Sequence, residues 1–155
     1  RENETIRLLW FEVRPVWFLE LTQWLEQEGD ATIVMDMYSF CPYSPIDTST
    51  EESLFRGLAK RYFVERPMTR QARGLAQNFI DDIRRCLQDY KINCFFYPGH
   101  MGHKEASASL GIMRKVCQEY GVPFLAVGMD AWDPRYTTLD NMKEQMMQFF
   151  DTMDF

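Results

Sequence analysis

The segment CFFYPGHMGHK, residues 94–104, joins an apolar run to a short polar one that contains two glycines. The run 94–97 predicts a buried strand, and the apolar spacing of residues 106–120 predicts a helix. The glycines between them allow a tight turn in which the backbone approaches a ligand closely. Both histidines of the chain lie in this turn. Polar groups at a strand-to-helix turn are typical of the binding sites of open α/β sheets.

The same alternation extends along the chain in both directions. Apolar runs predict four strands, at residues 6–13, 31–35, 92–97 and 124–129. Segments with helical spacing of apolar residues separate these runs, and the last such segment, 139–153, follows the fourth strand. Between the second and third strands lie a long loop and two helices: the loop is 37–50, the first helix opens at Thr50 with Ser53 and stops near Pro67, and the second carries apolar positions from Ala72 to Tyr90.

This order of elements predicts an α/β fold. Strands that are almost continuously apolar are typical of a parallel sheet whose two faces are both covered by helices. Right-handed crossovers then give a three-layer, flavodoxin-like or Rossmann-like domain with a four-stranded parallel sheet in the order 2-1-3-4. The turn after the first strand carries Arg14-Pro15 and no G-x-G-x-x-G, which disfavours a dinucleotide-binding domain.

Length and composition limit the classes of function. The 155 residues, with 46% hydrophobic content, predict a single α/β domain spanning 1–155. The net charge of -6 and the scattered basic residues argue against nucleic-acid binding. The longest uncharged apolar stretch, 122–129, is too short to cross a membrane, and no secretory leader opens the chain, so we expect a cytoplasmic protein. Because the chain begins at Arg1, we expect it to be the C-terminal domain of a longer subunit.

The cysteines indicate no metal or redox motif by their spacing. Cys41, Cys86, Cys94 and Cys117 are widely spread and form no C-x-x-C pair. Cys86 and Cys117 fall on apolar helix faces, where we expect buried core thiols.

Parallel strands bring their carboxyl ends to one edge of the sheet, so the four loops that follow them should converge there. We therefore expect eight candidate residues around one cleft: Arg14, Cys41, His100, His103, Lys104, Asp130, Asp133 and Arg135.

Two functional hypotheses for the histidines stand beside a structural one. His100 and His103 could bind a metal, with Cys41 or Asp130 completing the ligand set. Alternatively, one of them is a general acid or base that Asp130 or Asp133 orients. In the structural interpretation, His100 bonds to its own turn and His103 caps the helix or faces solvent.

The charged candidates have similar alternatives. Asp130, Asp133 and Arg135 could bind a polar ligand, or the two aspartates could cap the loop while Arg135 pairs with one of them. Lys104, at the start of a helix, could hold a phosphate or carboxylate, or could be solvated.

Several motifs, taken in order, resemble the 2-hydroxyacyl-CoA dehydratase and benzoyl-CoA reductase subunit family, in particular the C-terminal domain of the D-component type. The resemblance covers nearly the whole chain. It is carried by LAKRY at 58–62 with RPM at 66–68, YKIN at 90–93, HMGHK at 100–104, GVPFL at 121–125 and DAWDPR at 130–135.

The resemblance implies a domain of a 2-hydroxyacyl-CoA dehydratase (a lyase) or of an acyl-CoA reductase, from oxygen-sensitive two-subunit enzymes of anaerobic metabolism. Such subunits hold a [4Fe-4S] cluster through cysteines, and a separate ATP-dependent activator supplies a low-potential electron for acyl-CoA thioester chemistry. The implied partners are therefore the acyl-CoA substrate, a second dehydratase-type subunit and the activator. Because the cleft is shared between domains, we expect this chain to be inactive by itself.

One residue departs from the family pattern. Many relatives have H-x-G-C-K in this turn, and their cysteine is a cluster ligand, whereas this chain has His103. The resemblance implies metal ligation by His103 and Cys41, catalytic roles for His100 and Asp130, and a pocket lined by Lys104, Arg135, Asp133 and Arg14. An alternative is a partner or scaffold domain that keeps the fold, lacks the cluster and is not catalytic.

Overall fold

The structure, a computed structural model, describes residues 5–41, 43–66 and 75–153. Four parallel strands form one sheet: β1 (Ile6–Trp10), β2 (Ala31–Asp36), β3 (Cys94–His100) and β4 (Phe124–Met129). Their order is β2-β1-β3-β4, which confirms the predicted α/β fold and the 2-1-3-4 sheet.

Six α-helices accompany the sheet within the described ranges. They are α1 (Phe18–Gln27), α2 (Glu51–Lys60), α3 (Ala76–Asp89), α4 (Lys104–Ala108), α5 (Leu110–Glu119) and α6 (Leu139–Phe150). A π-helical turn, Arg61–Glu65, continues α2. Among the described residues, no helix has the length and apolar content to cross a membrane.

The two faces of the sheet carry separate hydrophobic cores. Side chains of a strand alternate between faces, so Leu8 and Trp10 point to one core and Leu9 to the other. The first core includes buried residues of α1 and α6, and the second includes buried residues of α3 and α5. Because β1 is buried on both faces, its sequence is a nearly continuous apolar run, as the parallel-sheet prediction required.

Strand β3 is longer than the sequence predicted, since it continues through Pro98 and Gly99 to His100. Proline has no N–H and usually ends a strand in the middle of a sheet. Phe96 faces β1, where its carbonyl accepts the N–H of Phe11. Pro98 faces the same side, but it lies two residues beyond the last residue of β3 that pairs with β1. The position that lacks a donor therefore has no ladder bond to make.

Strand β1 is shorter than predicted and ends at Trp10 instead of Val13. The indole Nε1 of Trp10 donates to the carbonyl of Glu12 at 2.8 Å, and the N–H of Val13 donates to the carboxylate of Glu12 at 2.9 Å. The Glu12 carbonyl and the Val13 N–H are thus bonded by nearby side chains instead of by a neighbouring strand.

The predicted helix 106–120 is divided at Ser109 into α4 and α5. The Ser107 hydroxyl donates to the carbonyl of His103, and side-chain bonds of this kind bend helices. Gly121 ends the second piece at φ +65°, as predicted. Thr50 and Ser53 form the predicted capping box of α2. The predicted stop at Pro67 and the predicted helical position Ala72 lie outside the described residues.

Helix α2 packs differently from the other long helices, because none of its residues is buried. The strand-to-helix segment before it contacts one side: Ile46 lies against Gly57, and the Ser44 hydroxyl donates to Glu65 at 2.6 Å. The side chain of Phe63, in the following turn, is 68% exposed. The apolar spacing of this segment therefore predicted a helix correctly, but it does not indicate a core contact.

Candidate functional site

Backbone hydrogen bonds join the four loops at the carboxyl edge of the sheet. The N–H of Met37, after β2, donates to Trp10 at the end of β1, and the N–H of Val16 donates to Ala131, after β4. The N–H of Met101, after β3, donates to Met129 at the end of β4. The segments that carry the predicted site residues thus lie side by side along this edge.

His100 is buried at the centre of this edge, with 8% of its surface exposed. Its Nδ1 accepts the backbone N–H of Ala131 at 3.2 Å, so the neutral ring carries its proton on Nε2. The ring of Trp132 lies edge-on at 4.8 Å between centroids. On the Nε2 side the backbone comes close, since a Cβ at Gly102 would lie 2.9 Å from that nitrogen. His100 is therefore enclosed on both ring nitrogens.

His103 is the more accessible histidine, with 30% of its side chain exposed. Its Nδ1 lies 2.7 Å from Oε1 of Glu12, whose side chain is only 3% exposed. The two imidazole rings are nearly perpendicular, 5.0 Å apart between centroids. A buried carboxylate thus holds one nitrogen of His103, and the ring lies against His100.

Asp130 stands near His100 without bonding to its ring. The shortest approach joins Asp130 Oδ1 to His100 Nδ1 at 3.9 Å, beyond hydrogen-bond distance. The same oxygen accepts the backbone N–H groups of Trp132 and Asp133 at 2.9 and 3.0 Å, and these two bonds are the main reason that the pKa of Asp130 is lowered. In this structure Asp130 shapes the loop after β4.

Asp133 and Arg135 form an ion pair at the outer end of that loop. The closest contact, Arg135 Nη2 to Asp133 Oδ2, is 2.6 Å, and the Arg135 side chain is 88% exposed. The bond from Arg135 lowers the pKa of Asp133 to about 2. This is the geometry of the structural alternative, in which Asp130 caps the loop and Arg135 pairs with Asp133, while the binding of a polar ligand stays a prediction.

Arg14 belongs to a second group of polar residues on the β2 side of the edge. Its Nη2 is 2.5 Å from the carboxylate of Asp36, which also accepts the Ser39 hydroxyl, and its guanidinium lies over the ring of Phe18. Lys104 is exposed at the first position of α4.

The four thiols divide into a buried set and one near the surface. Burial raises the pKa of Cys86, Cys94 and Cys117 to about 12 in each case, so these are core thiols, as predicted for Cys86 and Cys117. Cys41 is half-buried in the loop after β2, and its Sγ is 3.6 Å from the carbonyl oxygen of Tyr38. Within residues 5–41, 43–66 and 75–153, no three His, Cys, Asp or Glu side chains form a group arranged to hold a metal ion.

Sequence reasoning missed two residues of the site. The apolar spacing places Glu12 within the predicted strand 6–13, although a carboxylate at the end of a buried strand needs a partner and is a usable signal. Trp132 was noticed within a motif, but its contact with the ring of His100 depends on the close approach of the loops after β3 and β4, which no local pattern encodes.

Comparison with known proteins identifies the family. No curated protein matches the chain significantly. The model of the 2-hydroxyglutaryl-CoA dehydratase D-component family matches residues 1–153, nearly the whole sequence. With this extent of match, the chain belongs to the 2-hydroxyglutaryl-CoA dehydratase D-component family, and it is a dehydratase component of the 2-hydroxyacyl-CoA type.

Proposed function

We propose that this chain is a domain of an iron-sulfur subunit that acts on an acyl-CoA thioester by electron transfer, in a 2-hydroxyacyl-CoA dehydratase or a benzoyl-CoA reductase-like enzyme. The family match over residues 1–153 supports the dehydratase class. The observation that links the proposal to a particular site is the placement of the His103 ring, which Glu12 holds through one nitrogen at the sheet edge where the loops meet. A histidine that ligates a metal is commonly held in this way, through its other nitrogen, by a carboxylate.

The donor set of the described residues fits a cluster only in part. His103 offers Nε2, and Cys41 is the one thiol outside the hydrophobic core. They follow β3 and β2, which both flank β1, so the two strand axes are roughly 10 Å apart. A [4Fe-4S] cluster takes four ligands, so the remaining ligands would come from elsewhere in the subunit or its partner. When bound, the cluster would supply low-potential electrons, and we derive no step through it.

The charged residues of the edge have roles on the substrate side in this proposal. Arg14, Lys104 and Arg135 present positive charge toward the anionic parts of coenzyme A, and Asp133 sets the position of Arg135. His100 and Asp130, whose nearest atoms are 3.9 Å apart, are the proposed catalytic pair at this edge of the sheet. The second dehydratase-type subunit would complete the cleft, an ATP-dependent activator would deliver the electron, and the assembly would work in the cytoplasm.

A second candidate function is a partner or scaffold domain that holds no cluster and is not catalytic. The observation that favours it is that three of the four cysteines are core thiols. The resemblance points the same way, since it implies a ligating cysteine where this chain has His103. In this case the domain would contribute its fold and surface to the assembly, and His103 would be structural.

Anaerobic reconstitution of the full-length subunit with iron and sulfide separates the two candidates. The cluster proposal expects bound iron and broad visible absorbance, both reduced in the His103→Ala and Cys41→Ser variants. Cys86→Ala is the matched control, because this thiol is buried in the core and should not affect iron uptake. No iron uptake by the wild-type subunit would support the scaffold function. Conversion of a 2-hydroxyacyl-CoA to the enoyl-CoA and water, with partner subunit and activator added, then tests the reaction itself.

A further inference from the structure

Glu12 is a buried carboxylate that the proposed chemistry has not yet used. It follows the last residue of β1 by two positions, and its side chain is 3% exposed. A charged group in such a place is costly unless hydrogen bonds satisfy it. Two donors do so: the backbone N–H of Val13 at 2.9 Å and the ring Nδ1 of His103 at 2.7 Å, both to Oε1.

These contacts select one form of the His103 ring. A neutral imidazole has one N–H and one lone pair, and a carboxylate can only accept. Because Oε1 already accepts the Val13 N–H, the stable arrangement places the imidazole proton on Nδ1, where it is donated to Glu12. The lone pair is then on Nε2, the nitrogen that remains available to a ligand.

The backbone and the neighbouring ring complete the placement. The N–H of His103 donates to the carbonyl of His100, which fixes the turn, and the carbonyl of His103 accepts the N–H and the hydroxyl of Ser107. The ring of His100 stands perpendicular to that of His103, and it is itself locked by Ala131 and Gly102. The orientation of His103 is therefore defined on three sides before any ligand arrives.

We infer that Glu12 is the positioning residue of this site, which locks His103 in the Nδ1–H tautomer and thereby presents the Nε2 lone pair to the cofactor or substrate. The inference deepens the proposed function and rests on it only for the identity of the ligand. An untethered histidine exchanges between tautomers and ring orientations. A ring held by Glu12 has no such freedom to lose when the ligand binds, because its tautomer and orientation are already those of the bound form.

Nitrogen-15 NMR of the histidine side chains tests this directly, and the chain has only two histidines to assign. Spectra are recorded on the alkaline plateau of the signals, where both rings are neutral. We expect wild-type His103 with a protonated Nδ1 and an unprotonated Nε2, and His100 with the opposite pattern. An Nε2-protonated His103 in the wild-type protein overturns the inference, without any variant having to fold.

Variants at Glu12 then separate positioning from bulk structure. Glu12→Ala removes the acceptor and should shift His103 toward the Nε2–H tautomer, which free imidazole side chains prefer. Glu12→Gln should restore the wild-type pattern, since its amide oxygen can accept the same two N–H groups. Asp81→Asn, on the exposed side of α3, is the control and should leave both histidine patterns unchanged. An unaltered His103 tautomer in folded Glu12→Ala would refute the role.

The spectra require no cofactor, so this test and the test of the proposed function fail separately. If the wild-type tautomer is as inferred and the full-length subunit takes up no iron, the cluster proposal fails and the positioning by Glu12 stands. If iron is bound and the tautomer is reversed, the positioning role fails alone.

Discussion

The contact between Glu12 and His103 should be worth more to stability than any exposed ion pair of the molecule, and a double-mutant cycle measures it. The perturbations are Glu12→Ala, His103→Ala and the double variant. Each single change removes the carboxylate–imidazole interaction, and the cycle isolates the coupling between the two side chains from the separate effects of each substitution.

The structure sets the expected magnitude. A hydrogen bond to a charged group contributes about 1.5–3 kcal/mol, and breaking a buried pair by removing one partner can cost about 3–5 kcal/mol. His103 is 30% exposed, so water can reach the space left by its ring, and Val13 keeps its bond to the carboxylate. Both facts favour the lower range, and we expect His103→Ala to lower the free energy of unfolding by about 2 kcal/mol, with a coupling energy of about 1–2 kcal/mol.

Urea unfolding at neutral pH, followed by tryptophan fluorescence, gives the four free energies. A parallel cycle on Asp133 and Arg135 is the matched control, because that pair is as short but its arginine is 88% exposed. Exposed pairs are screened by water and contribute about 0.2–1 kcal/mol, so we expect a smaller coupling there. If the coupling between Glu12 and His103 is no larger than the control, the argument from burial is wrong.

Three further predictions follow from other parts of the structure. At mildly alkaline pH a thiol reagent should modify only Cys41 in the native protein and all four thiols in denaturant, as measured by mass spectrometry. Burial raises the pKa of Cys86, Cys94 and Cys117 to about 12, so modification of one of these thiols in the native protein would contradict the prediction. Gly102→Ala should lower the unfolding free energy by about 1–3 kcal/mol, because its Cβ would lie 2.9 Å from His100 Nε2, whereas Gly111→Ala, with open space around it, should be neutral or stabilising. The pKa of Asp133 is lowered to about 2, so its contribution to stability is complete above the ordinary aspartate range and is lost as the pH falls toward about 2. Acid titrations of Asp133→Asn should therefore lack this part of the loss of stability that the wild-type protein shows. Identical acid titrations of the two proteins would contradict this prediction.

The fold was accessible from sequence because two periodicities agree throughout the chain. Continuous apolar runs mark the strands, helical spacing marks the helices, and handedness leaves few possible sheet orders. The errors lie at element ends, where local rules compete with tertiary contacts. Pro98 indicated a strand end, yet it is harmless beyond the last pairing with β1. Leu58 belongs to the apolar spacing that predicted α2, yet it is exposed, because spacing records only which residues share a face of the helix.

From the sequence, the site could be predicted only as far as the edge of the sheet on which it lies. Topology places the loops after the strands together, and hydrogen bonds such as that from Val16 to Ala131 bear this out. The partner of each side chain was not predictable. Asp130 or Asp133 was one predicted partner of a histidine. The Asp130 oxygen binds two backbone N–H groups, while Glu12, ninety-one residues away from His103 in sequence, makes the contact. Such pairings depend on angstrom-level loop geometry, which composition and spacing do not contain.

The buried Glu12 and the histidine at position 103 explain one another. The family resemblance implies a ligating cysteine at position 103, where this chain has a histidine. A cysteine ligand is a thiolate, and a thiolate beside a carboxylate that is 3% exposed would place two negative charges together in a poorly solvated position, which opposes ionisation of both groups. An imidazole offers an N–H to the same carboxylate and satisfies it. The histidine at position 103 is therefore matched to Glu12, two residues beyond the end of β1, and we expect a cysteine ligand at this position only if Glu12 changes as well.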